Sequence, residues 1–194
     1  MLYEKLAKRV SGYFVKNNIV PEESREIYSF GLENIISQFC GILFLFLVSL
    51  LLQAVVQGIV FYLVFKFVRK FAGGFHASTY FNCNFLYLTT FTITVFSSRG
   101  LALLPLQGIV SMTLSLFSLV TVAFLAPIEN PNNPIATGKQ RQYYLYALLI
   151  SGGFLTIVAI LAIFSIPGYI LIAVTEFFAA VYMYIEIIKR RKQT

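Results

Sequence analysis

Aspartate is absent from this 194-residue chain: all eight acidic residues are glutamate. That excludes any mechanism needing an aspartate metal ligand or an aspartate third member of a triad. Histidine occurs once, at His76, and cysteine only at Cys40 and Cys83. With no closely spaced set of ligands, no metal is expected. Charge is also scarce, at 12% of residues against about 25% in a soluble domain. Hydrophobic residues make up 58% and mean hydropathy is +0.79, which places the chain in the membrane class. The first nine residues hold no apolar core followed by a small-residue cleavage site, so no cleaved signal peptide is expected.

What is present reads as helix. Residues 2–18 carry Leu2, Leu6, Val10, Tyr13 and Phe14 at three- and four-residue steps with Lys5, Lys8, Arg9 and Lys16 mostly between them, the pattern of an amphipathic interfacial helix. Pro21-Glu22-Glu23 suits the start of a new helix. Residues 34–65 are free of charge. A span takes about 20 apolar residues, so two helices fit this run if they extend beyond it, with a turn at Gln53, Gln57 and Gly58 and with Lys66 snorkelling. The pattern predicts an all-α polytopic membrane protein, a single integral domain over 1–194. About six spans are expected, near 29–52, 54–71, 80–97, 106–126, 143–164 and 168–188. Ser97-Ser98-Arg99-Gly100 with Pro105 is read as a turn, as is Pro167-Gly168, and the proline-rich stretch 127–134 as an ordered loop.

With six spans and an inside N-terminus, all of the 15 Lys and Arg residues except Arg99 fall on the cytoplasmic side. His76 and Cys83 then face the compartment in which thiols stay reduced. Two free thiols are expected, with Cys40 read as a small apolar packer. The same charges set topology and bind anionic lipid, or attract an acidic peptide. No nucleic-acid partner is expected.

The polar residues gather in 69–83, Arg69-Lys70-Phe71-Ala72-Gly73-Gly74-Phe75-His76-Ala77-Ser78-Thr79-Tyr80-Phe81-Asn82-Cys83. A thiol and an imidazole are the minimum set for nucleophilic catalysis. Residues seven apart in one helix are separated by about 10 Å along its axis, too far for direct contact, so a break between His76 and Cys83 is predicted. Ser78, Thr79 or Asn82 can cap a helix whose first turn holds Cys83, where the dipole favours thiolate. Gly73 and Gly74 are a plain turn or donate a backbone N–H to an oxyanion. Arg69 and Lys70 are topology anchors at the membrane edge, or Arg69 holds substrate or a carboxylate such as Glu33; Glu33 reads equally as an ordinary helix-end charge. Glu176 is the main ionisable exception within the spans, the kind of residue that marks transporters. A small transporter or scaffold therefore stands as the alternative to an enzyme.

The segment from Arg69 to Ala77, followed by Cys83, resembles the signature of the accessory gene regulator protein B family, the membrane cysteine endopeptidases of Gram-positive quorum sensing. Length, hydrophobic character, the basic C-terminus and the proline-rich loop are also similar. The resemblance implies Cys83 as nucleophile and His76 as its base, with Arg69, Gly74 and, on position alone, Glu33 in supporting roles. It implies no cofactor. Its substrate would be a regulator D-type propeptide with an acidic tail, cleaved through a thioester and closed to a thiolactone or lactone. A homodimer stays open.

Overall fold

A computed structural model describes residues 2–77, 79–129 and 138–192. The chain forms α1 (Leu2–Lys16), a single 3-10 turn at Glu22–Ser24, α2 (Arg25–Leu51), α3 (Val55–Ala72), α4 (Tyr80–Leu101), α5 (Gln107–Leu125), α6 (Gln140–Ile163) and α7 (Tyr169–Arg191). No strand occurs among the described residues. The acids after Pro21 open the 3-10 turn that leads into α2, as their place near a positive dipole end favours.

Packing is inverted relative to a soluble bundle. The buried side of α2 is Ser29, Ser37, Gly41, Leu45 and Ser49, while Phe30, Phe39 and Phe46 are exposed. The buried face of α5 is Ser111, Ser115, Ser118 and Thr121, and Phe124 is exposed. Small residues let helices approach closely where the surroundings are as apolar as leucine, so this is a membrane-type all-α fold. α7 runs through the middle, packed on α3, α4, α5 and α6 and buried over most of its length. α1 packs on α2 through Ala7 and Ser11, leaving Leu6 and Tyr13 exposed. The fully buried residues of α1 are thus its small ones, while Val10 and Phe14 of its hydrophobic stripe are half-buried beside them.

Four stretches, Glu22–Leu51, Gln107–Leu125, Gln140–Ile163 and Tyr169–Arg191, are long and apolar enough to cross a membrane, against the six expected. α3 carries Lys66, Arg69 and Lys70 within 18 residues. Asn82, Asn84 and four threonines dilute α4. Two expected turns also move. Gly58 lies inside α3, where a Cβ would stand 2.2 Å from Ser49 Oγ; it serves helix contact, and the chain turns before it, around Gln53 (φ 51°). Residues 97–100 stay helical as the last turns of α4, and Arg99 Nη2 donates to the Leu52 carbonyl at 2.8 Å, tying the end of α4 to the carbonyls after α2. The chain then turns at 102–106. The 127–134 loop is described only through Glu129; its remaining residues lie outside the described ones.

At mid-helix Glu176 is wholly buried, accepting from Ser115 Oγ at 2.6 Å, while Ser118 Oγ donates to its carbonyl oxygen at 3.0 Å. This polar seam joins α5 to α7.

Candidate functional site

The break between His76 and Cys83 is present. α3 stops at Ala72 because Gly73 (φ 78°, ψ −149°) and Gly74 (φ 117°) enter conformations that L side chains rarely adopt. The chain then runs without helix through His76 and Ala77 to α4. Thr79 caps α4, its Oγ1 accepting from Asn82 N at 3.2 Å. The Cys83 N–H bonds the Thr79 carbonyl at 3.0 Å, which puts the thiol in the first turn. Asn82 therefore supplies the capped N–H, and Ser78 lies outside the described residues.

The glycines also pass between two backbones. Gly73 bridges Ile128, whose N–H donates to the Ala72 carbonyl at 2.9 Å; a Cβ on Gly73 would lie 2.0 Å from the Ile128 oxygen. A Cβ on Gly74 would meet the backbone of Tyr182 and Met183 at 3.3 Å. The Gly73 N–H is committed to the Arg69 carbonyl (3.1 Å) and the Phe75 N–H to the Tyr182 carbonyl (2.9 Å). An oxyanion role for Gly73 therefore loses its donor, and close approach explains both residues.

Arg69 is the hub. Its Nη2 donates to the Phe75 carbonyl. Its guanidinium lies 4.8 Å from the Tyr182 ring centroid and 5.3 Å from that of Phe65, placements that favour a cation. The carboxylate within electrostatic reach of it is Glu186 of α7; Glu33 forms no ion pair or hydrogen bond with it among the described residues. Glu186 is 2% exposed and accepts from Arg190 Nε at 3.2 Å. Glu33 instead acts on Lys8 of α1 and on Tyr80, whose ring meets Tyr3 edge-on at 6.3 Å. Lys70 sits 5.2 Å from the Phe71 ring at the exposed end of α3. Tyr182, Glu186 and Ile128 were missed from sequence. Glu186 alone left a trace there, as an acid at the end of an apolar helix just before a basic cluster.

His76 and Cys83 both fall under the influence of Arg69. No hydrogen bond joins them among the described residues. Burial, and then the Arg69 charge, push the imidazole down to about 4, so His76 is neutral near pH 7. The unfolded chain, with histidine near 6.5, binds more protons between these values. Stability from this group is therefore full above about pH 6.5 and is lost as pH falls through about 4. Melting in detergent is expected to lose more over that window for wild type than for His76→Gln; equal slopes would contradict the buried neutral ring.

A groove of about 380 Å³ adjoins the Gly73 contact, lined in part by Ile128, Glu129, Gln140 and Arg190. Gln140 Nε2 donates to Glu129 Oε1 at 2.9 Å across it. Both cysteines are free. No cluster of three or more metal-ligating side chains occurs among the described residues.

The model of a protein family described as accessory gene regulator B matches residues 7–188. No curated protein and no solved structure matches the chain.

Proposed function

The chain belongs to the accessory gene regulator B family, and from that premise we propose that it is a membrane cysteine endopeptidase that removes the C-terminal tail of a regulator D-type propeptide. The observation that carries the reading is the geometry of the loop: Arg69 holds the Phe75 carbonyl just before His76, and Thr79 caps the helix whose first turn carries Cys83. A neutral imidazole beside a fixed cation suits a thiol that is deprotonated as it attacks.

In this mechanism Cys83 Sγ attacks the carbonyl at the tail junction and His76 takes the thiol proton. Collapse of the tetrahedral adduct breaks the C–N bond, His76 returns the proton to the leaving amine, and a thioester remains on Cys83. A thiol or hydroxyl within the propeptide then attacks that thioester, frees Cys83 and closes a thiolactone or lactone. Thioester exchange is nearly balanced in energy, so the ring keeps the activation of the acyl-enzyme, provided water is excluded. The harder step is the first, amide to thioester, and loss of the tail draws it forward.

The charge asymmetry supports a site on the inner face of a bacterial cell membrane with both termini inside. Lys139, Arg141 and the 189–192 cluster then offer an acidic tail a basic surface beside the groove. A transport or scaffold role has one observation in its favour, the buried Glu176 seam.

The test is to trap the intermediate. Co-expression with a propeptide tagged at its N-terminus is expected to give a conjugate of chain and tailless peptide that hydroxylamine releases. An intact tail with no labile conjugate would remove the peptidase reading and favour the alternative.

A further inference from the structure

We infer that Tyr182 of α7 is a positioning residue whose hydroxyl holds α4, and with it Cys83, in register with the loop that carries His76. This rests on the peptidase reading above and adds to it a residue that neither sequence motif nor family resemblance marks. The difficulty it addresses is plain from the fold. The two proposed reactive groups sit on different elements, His76 on an irregular segment after α3 and Cys83 on α4, with no hydrogen bond between them among the described residues.

Tyr182 is attached to both elements. On the histidine side its carbonyl accepts the Phe75 N–H at 2.9 Å. Its ring lies beneath the Arg69 guanidinium, which in turn donates to the Phe75 carbonyl. Both backbone polar groups of Phe75, the residue just before His76, are therefore held, its N–H by Tyr182 and its carbonyl by the cation resting on the Tyr182 ring. The Phe75 ring stacks on that of Tyr182 at 6.4 Å and 20°.

On the cysteine side the Tyr182 hydroxyl is 2.7 Å from Thr90 Oγ1 and 3.4 Å from the Leu86 carbonyl. Thr90 Oγ1 also lies 2.8 Å from the Leu86 carbonyl. Either hydroxyl can donate in the Thr90–Tyr182 contact, and the shorter Thr90–Leu86 bond favours Tyr182 as the donor to Thr90. Leu86 and Thr90 follow Cys83 by three and seven residues, one and two turns further along the same side of the helix. Tyr182 is 7% and Thr90 5% exposed, so water competes little for the contact.

The ring and the hydroxyl do separable work. A phenylalanine would present the same ring to Arg69, Phe65 and Phe75 and leave the backbone bond to Phe75 intact. The hydroxyl adds only the tie to α4. Its removal frees the nucleophile's helix while leaving the cation and the histidine loop in place, and small misplacement of reacting groups is costly in rate.

The experiment measures kcat and KM for tail release with the purified full chain in proteoliposomes, using Tyr182→Phe, Thr90→Val and Thr90→Ser. Tyr182→Phe and Thr90→Val are each expected to lower kcat by about tenfold or more, with KM changed by less than roughly twofold. Thr90→Ser keeps the acceptor and is expected to keep wild-type kcat. A role in folding alone would not divide serine from valine in kcat at unchanged KM. Wild-type kcat in Tyr182→Phe, a change confined to KM, or equal losses in Thr90→Ser and Thr90→Val would each overturn the proposal. Absence of tail release by the wild-type chain would instead overturn the peptidase reading, and this positioning role with it.

Discussion

Cys83→Ala is expected to abolish release of the propeptide tail, by about 10⁴-fold or more, while His76→Ala slows it by about 10²- to 10⁴-fold and Cys40→Ser leaves it unchanged. The ranking follows from what each atom does. Cys83 Sγ forms the bond that becomes the thioester, and nothing else in the loop can replace it. His76 moves a proton, a task that solvent can take over more slowly in its absence. Residual activity of His76→Ala should therefore climb as pH is raised, as hydroxide replaces the missing base. Cys40 lies in α2, in an apolar stretch, and its replacement tests whether one thiol suffices. The assay is the rate of tail loss from a tagged propeptide, followed in vesicles. Wild-type cleavage by Cys83→Ala would end the cysteine mechanism. Equal and complete losses in both histidine and cysteine variants, without recovery at high pH, would mean that His76 has a structural duty beyond proton transfer.

Local features of this fold were open to reading from sequence; contacts made across long separations were not. The seven-residue spacing predicted a break between His76 and Cys83, because a helix interior holds them too far apart, and the chain is out of helix at His76 and Ala77, between the end of α3 at Ala72 and the start of α4 at Tyr80. Most helix positions followed from apolar runs bounded by proline, glycine and charge. The turn at 97–100 was misread because Ser-Ser-Arg-Gly is turn-like in composition. In the fold it is the end of α4, and its Arg99 bonds the carbonyl of Leu52, 47 residues earlier, a contact composition does not show. Gly58 was misread for the same reason, its need being set by Ser49 on another helix. Sequence offers Glu33 only as one option for Arg69, beside substrate, and reads it equally as an ordinary helix-end charge. The acid that Arg69 feels, Glu186, lies over a hundred residues downstream, and no local pattern ties the two. Tyr182 is one of 12 tyrosines, and only its neighbours distinguish it.

The second large effect is expected from Gly73→Ala, which should cost more than any other glycine-to-alanine change. Two penalties coincide at this residue. Its φ of 78° with ψ of −149° belongs to a region reserved for glycine, with strain of about 1–3 kcal/mol for other residues. Its Cβ would also stand 2.0 Å from the Ile128 oxygen, 2.9 Å from the carbon and 3.1 Å from the nitrogen, and all three are backbone atoms that no rotamer change can move. Relief requires the 73–77 segment to part from Ile128, which breaks the bond to the Ala72 carbonyl and lets Phe75 drift from Tyr182. Gly74→Ala meets backbone only at 3.3 Å, so its cost comes mainly from φ 117°. Gly152→Ala has nothing within 4 Å in α6 and should be neutral or stabilising by about 0.5–1 kcal/mol. The expected order of melting temperature in detergent is Gly152→Ala at or above wild type, then Gly74→Ala, then Gly73→Ala, with tail release in Gly73→Ala down by about 10²-fold or more. If Gly73→Ala melts and cleaves like wild type, the chain does not pass between Ile128 and Tyr182 as described. In that case the loop cannot be what brings His76 under Arg69.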